Sequence, residues 1–166
     1  PDFPIRVEAS NPLPTISAAS FAGREVPQRL WAVKDWLPGR AVTLMAGGGG
    51  TGKSLLTQQW LAAISLGDPF LGMETVKQTP TLYITCEDDT DEAHRRAVDI
   101  AHALRCRLED MTDAHLLSRS GEQGNEIGTY NDKRVLQLSE FFTRIEATIS
   151  AMRPGVVALD NVAHLY

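Results

Sequence analysis

Residues 46–55, AGGGGTGKSL, contain the stretch that decides the fold: Gly47-Gly48-Gly49-Gly50-Thr51-Gly52-Lys53-Ser54 satisfies the pattern GxxxxGK[ST]. The apolar run AVTLMA at residues 41–46 precedes it and reads as a short buried strand. A helical pattern follows from residue 52 to about 66, and Gly67-Asp68-Pro69 ends it. Strand, glycine-rich loop and helix in that order are the context this motif requires. Glycines let the backbone turn where other residues cannot, and they bring N–H groups against phosphate oxygens. The helix that follows offers its unpaired N-terminal N–H groups and the positive end of its dipole to the same anion. A chance match in a chain of this length has a probability of roughly one in a few hundred. Gly47, Gly48, Gly49, Gly50, Thr51, Gly52, Lys53, Ser54 and Leu55 are therefore the expected nucleotide-binding residues. Lys53 is expected to reach the β- and γ-phosphates of ATP and to serve catalysis, and the Ser54 hydroxyl to ligate Mg²⁺.

Downstream, strands and helices alternate. TLYITC at residues 81–86 is β-branched and aromatic and reads as a second buried strand. Asp89 and Glu92 have capping-box spacing, and Ala93, Ala97, Ile100, Ala101 and Leu104 then recur on one helical face. Residues 114–118 suggest a short strand, and residues 121–133 an exposed polar loop. Leu138, Phe141, Phe142, Ile145, Ile149 and Met152 form the stripe of a further amphipathic helix. Pro154-Gly155 breaks it, and residues 156–159 make a third buried strand ending at Asp160. The expectation is an α/β fold built of right-handed βαβ units: a parallel sheet flanked by helices. Residues 1–26, rich in Pro, Ser and Ala, read as an arm or linker, with the core from 27 to 166.

Acidic residues close the second and third strands. Asp160 ends VVALD, at the sheet edge where such folds bind ligands, and is the expected second Mg²⁺ residue. Asn161 follows it and cannot accept a proton from water, so a general base must lie elsewhere. Glu87, in Cys86-Glu87-Asp88-Asp89 at the end of the second strand, is the expected catalytic carboxylate. Asp88 and Asp89 read as solvated loop acids, Asp89 as the helix N-cap. Arg95 and Arg96 read as a solvated helix face. His94, His102, His115 and His164 show no ligand spacing, and Trp31 and Trp36 read as packing residues.

Composition sets the outer bounds. With 166 residues, 43% hydrophobic and 22% charged, the chain suits one globular domain. A net charge of −5 argues against a strongly basic nucleic-acid surface within it. Cys86 and Cys106 lack CxxC spacing and suit two reduced thiols of a cytoplasmic protein. No apolar run approaches the roughly 18–20 residues of a membrane span, so no membrane partner is expected. The chain opens at Pro1 without an initiator Met and stops at Tyr166 beside an apolar run, which suggests a fragment of a longer protein.

Taken together, AGGGGTGKSLLTQQWLAA, LYITCEDDTDEAHRR and GVVALDNVAHL resemble the RecA-like P-loop ATPases of the plasmid RepA type. That group includes hexameric replicative helicases and ATPases of phage and plasmid origin in bacteria. The resemblance runs from about residue 26 to the end. It implies a RecA-like P-loop NTPase fold, truncated after the Asp-bearing strand, and a DNA-linked motor hydrolysing ATP with Mg²⁺. It matches Lys53 and Ser54 to the phosphate and Mg²⁺ positions, Glu87 to the catalytic glutamate and Asp160 to the second Mg²⁺ acid. It further implies a homo-oligomeric ring, possibly a hexamer, and single-stranded DNA bound by segments beyond this chain. Two other classes stay open: a nucleotide-gated assembly or regulatory ATPase, and a P-loop small-molecule kinase. The kinase reading has the weaker support, because residues 121–133 offer only Lys133 and no Arg.

Overall fold

Thr81, Leu82, Tyr83, Ile84 and Thr85 are all buried, and they form the central strand of the molecule. In the elements that follow, β3 denotes this strand (Thr81–Thr85), β4 Ala114–Ser118 and β7 Val156–Asp160. The structure is a computed structural model and describes residues 13–161. β3 lies between β4 and β7, and both neighbours run parallel to it. The two ladders share one register, from Thr81 opposite Ala114 and Val156 to Thr85 opposite Ser118 and Asp160. All three strands therefore end level, with Ser118, Thr85 and Asp160 abreast.

A central parallel strand needs cover on both faces, because successive side chains point opposite ways. On one face Leu82 and Ile84 form a core cluster with Phe141 and Ile145 of α3 (Glu140–Met152). On the other, the Thr81 hydroxyl donates to the Leu61 carbonyl of α1 (Lys53–Leu66) at 3.2 Å. α2 (Thr90–Leu104) packs beside α1, with Ala93, Ile100 and Ala101 buried. The expected α/β architecture, a parallel sheet with helices on both faces, is what forms.

Helix ends follow local chemistry. Asp89 caps α2, its carboxylate accepting from Glu92 N at 2.7 Å, and Ser139 caps α3 by accepting from Phe142 N at 3.1 Å. Leu138, expected within the last helix, instead sits in a strand and is 59% exposed. The Ser139 cap sets the boundary, since its side-chain oxygen satisfies an otherwise unpaired helix N–H.

Two further expectations change, and one hairpin was not anticipated. Residues 41–46 do not form a strand: no described strand lies beside them, Val42 is fully exposed and Leu44 is 76% exposed. An apolar run becomes a strand only where a neighbour accepts its backbone hydrogen bonds, and among the described residues none does. Residues 121–133 are not wholly loop. β5 (Gly128–Tyr130) pairs antiparallel with β6 (Leu136–Leu138). Asn131 builds the turn, its side-chain oxygen accepting from Lys133 N and Val135 N at 3.0 Å each. A second hairpin, β1 (Trp31–Val33) with β2 (Leu37–Pro38), precedes the glycine-rich loop. Its strands are too short for a periodic signal. From 13 to 30 every residue is exposed, with one 3₁₀ turn at Ala18–Phe21.

One close approach locks β7 into the sheet. Gly155 N donates to the Pro80 carbonyl at 2.8 Å. A Cβ at Gly155 would lie 2.4 Å from both Thr79 Cγ2 and Thr79 Oγ1, and 2.8 Å from Thr79 Cβ. Gly155→Ala is therefore expected to cost about 1–3 kcal/mol through overpacking. At roughly 2–4 °C per kcal/mol for a domain of this size, the thermal midpoint falls by about 2–12 °C. An unchanged midpoint in calorimetry would mean that β7 tolerates the shift.

Candidate functional site

The glycine-rich loop closes on its own lysine. Lys53 is the first residue of α1, and its ammonium donates to the carbonyls of Gly48 at 2.7 Å and Gly47 at 3.0 Å. The Thr51 hydroxyl donates to the Gly48 carbonyl at 2.9 Å. Gly50 and Gly52 adopt φ of +72° and +84°, the left-handed region that costs other residues most, so the turn into the helix depends on both. Gly52 occupies the N-cap of α1 and carries no side chain to cap it, in contrast to Asp89 and Ser139 on the other helices. The first-turn N–H groups of α1 thus have no side-chain acceptor, which suits an anion. Leu55 is 39% exposed at the outer side of this turn.

The two acids lie where β3 and β7 end side by side. Cys86 N donates to the Asp160 carbonyl at 2.9 Å, extending the ladder one step. The Asn161 carboxamide donates to Glu87 Oε1. The backbone of Glu87 is held from two sides. Thr85 Oγ1 accepts from Glu87 N at 3.2 Å and Asp88 N at 3.3 Å, and the Ser120 hydroxyl donates to the Glu87 carbonyl at 3.2 Å. Residue 120 comes from beyond β4, so all three strand ends contribute. Glu87 is exposed and Asp160 half-buried.

Ser54 joins this group through Tyr83. The Tyr83 hydroxyl donates to Asp160 Oδ2, and Ser54 and Gln58 on α1 act on the same phenol electrostatically. Burial pushes the Tyr83 pKa far above its ordinary value, with Asp160 adding to the rise, so the phenol stays a donor. Of the expected residues, Glu87 and Asp160 follow or end neighbouring strands at one sheet edge and Ser54 opens the helix that covers Tyr83, while Lys53 is committed to its own loop. Ser54 hydroxyl and Asp160 carboxylate are hard oxygen donors, the kind Mg²⁺ takes alongside substrate phosphates. The described residues hold no cluster of three or more His, Cys, Asp or Glu placed for a metal, and a phosphate-bound Mg²⁺ does not need one.

Two readings of the flanking charges need correction. Asp88 is not a solvated loop acid, nor is Arg96 part of a solvated face. Arg96 grips Asp88 in a two-pronged pair, at 2.6 and 3.0 Å, with side chains 24% and 15% exposed. The planar guanidinium matches both carboxylate oxygens. Burial raises the Asp88 pKa while Arg96 works against that rise. Arg96 and Arg95 also take the Glu92 carboxylate, at 2.9 Å each, so Glu92 does not complete the capping box. Trp36 meets Trp60 edge to face at 6.0 Å between ring centres, and both cysteines are free thiols. His94, His102 and His115 are exposed; His164 lies outside the described residues.

Sequence reading passed over Tyr83 and Asn161 as participants. Tyr83 falls within the run 81–86 that reads only as a buried strand, and the available signal was the hydroxyl-bearing face Thr81, Tyr83, Thr85 opposite the apolar face Leu82, Ile84. No helix of the described residues is long and apolar enough to cross a membrane.

A family model described as AAA domain matches residues 7–166. No curated protein and no solved structure matches the chain.

Proposed function

This chain belongs to the AAA domain family of P-loop ATPases, and on that premise we propose that it binds ATP with Mg²⁺ and hydrolyses it as the motor domain of a DNA-linked, ring-forming assembly of the replicative helicase type. The observation that carries the hydrolytic part is the shared strand register. It sets Glu87 and Asp160 at one sheet edge, with Asn161 bridging to Glu87 and Tyr83 bonded to Asp160.

In this reading the backbone N–H groups of residues 47–54 hold the phosphates. Lys53 exchanges its loop carbonyls for phosphate oxygens, which are stronger acceptors because they are charged. Ser54 and Asp160 are the residues that would hold Mg²⁺, which when bound offsets charge on the β- and γ-phosphates. Glu87 orients a water and takes its proton; its fixed backbone limits the positions its carboxylate samples. The DNA and ring components rest on the likeness of residues 46–63, 82–96 and 155–165 to RecA-like plasmid ATPases.

The test is steady-state ATP turnover with and without single-stranded DNA, alongside light scattering at rising protein concentration. Turnover that rises with DNA and with assembly supports the motor. Turnover indifferent to both removes the helicase-type reading and leaves a nucleotide-gated scaffold. Phosphate transferred to a metabolite instead of water would point to a kinase.

A further inference from the structure

We infer that Tyr83 is a positioning residue of the cation site, its hydroxyl fixing the Asp160 carboxylate relative to Ser54. The inference rests on the nucleotide-site reading above and begins with the sheet register. Tyr83 lies opposite Ala158, and Asp160 lies two residues further along the same face. Such diagonal neighbours are within reach of a long aromatic side chain, and the small alanine directly opposite leaves the ring room to lean that way. The hydroxyl then donates to Asp160 Oδ2.

The same face receives α1. Ser54, Gln58 and Leu61 are spaced at i, i+4 and i+7, one helical stripe, and Leu61 is bonded to the neighbouring Thr81. That stripe places Ser54 and Gln58 on the side of α1 that faces the Tyr83 side of β3, and both act on the phenol electrostatically. The phenol oxygen thus bonds the acid of β7 on the face of β3 that the glycine-loop helix covers.

A purely structural role explains this oxygen poorly. Tyr83 is 1% exposed, and a buried hydroxyl costs free energy unless it is bonded. Phenylalanine would fill the same space at no such cost. Nor do the strands need the extra tie, because β3 and β7 are already paired along their whole length. What the hydroxyl adds is orientation: it commits Oδ2 of Asp160 to the protein and sets the direction of the other oxygen. Groups that orient a metal's ligands in this way typically change metal affinity by about 10–100-fold when removed.

The experiment is Tyr83→Phe in the chain, with Mn²⁺ titrated by electron paramagnetic resonance into the ADP-saturated protein. ADP affinity without metal is measured in parallel. The expected result is a Mn²⁺ affinity lower by about 10–100-fold, with metal-free ADP affinity unchanged. The metal-free measurement reports the integrity of the loop and does not depend on turnover. Mn²⁺ affinity within twofold of the parent overturns the role of Tyr83 while leaving the nucleotide site intact. Equal losses in both affinities also overturn it, since they mark general damage to the α1–β3 packing. A parent chain that binds no Mn²⁺–ADP at all overturns the nucleotide-site reading itself.

Discussion

Replacing Glu87 by Gln is expected to lower ATP turnover by about 10²–10⁴-fold, the usual contribution of one general base, while ATP still binds. The substitution keeps the shape of the side chain and removes only its capacity to take a proton. Its amide oxygen can still accept from Asn161, as Glu87 Oε1 does. The backbone contacts to Thr85 and Ser120 do not involve the side chain and persist. Because Glu87 is exposed, the change should leave the thermal midpoint nearly where it was. Turnover measured together with binding of a fluorescent ATP analogue separates the two effects. A fully active Glu87→Gln chain would exclude Glu87 as the base. Loss of binding along with turnover would instead assign Glu87 to the ground-state complex.

Lys53→Ala is expected to weaken ATP binding by about 10–100-fold, corresponding to the roughly 1.5–3 kcal/mol of a charge-assisted hydrogen bond. Turnover should fall further, by about 10²–10³-fold beyond the binding loss, because charge develops on the phosphates in the transition state. The structure adds a second consequence. Lys53 cross-braces the loop by donating to the Gly47 and Gly48 carbonyls, so alanine also removes the contacts that preorganise residues 47–52. Those bonds are solvent-exposed, which limits their contribution to global stability, and the melting temperature is expected to move little. Titration calorimetry with a non-hydrolysable ATP analogue checks the binding term. Affinity within twofold of the parent would show that the loop amides alone carry the phosphates.

How legible these groups were in the sequence depended on distance along the chain. The glycine-rich loop is contiguous, so the eight residues 47–54 could be read directly, and residue type permits the positive φ that Gly50 and Gly52 adopt. Helix limits were legible where a cap marks them, as at Gly67 and Asp89. β3 was visible because a strand buried on both faces must be apolar or β-branched throughout. Glu87 and Asp160 were picked out as acids following such strands. Their placement at one edge could not be read, because 72 residues separate them and only the parallel register of β3 with β7 brings the two strand ends level.

The pairing of residues distant in sequence belonged to the tertiary structure alone. Asp88 and Arg96 looked solvated until the turn after β3 folded one onto the other. Ser120 reaches Glu87 across the end of β4, a contact that no local pattern encodes. Residues 41–46 show the converse: their apolar composition specifies a strand only when a neighbour supplies hydrogen bonds, and among the described residues they have none. Tyr83 lies between these cases. Its side chain is written in the sequence, but the role we infer for it comes from Ala158 opposite, Asp160 two steps on and the helix α1 covering that face. Local chemistry determined the loop, the caps and the buried strand, because each depends on a few adjacent residues. The site formed from them depends on strand register and helix docking, which burial of the shared core decides.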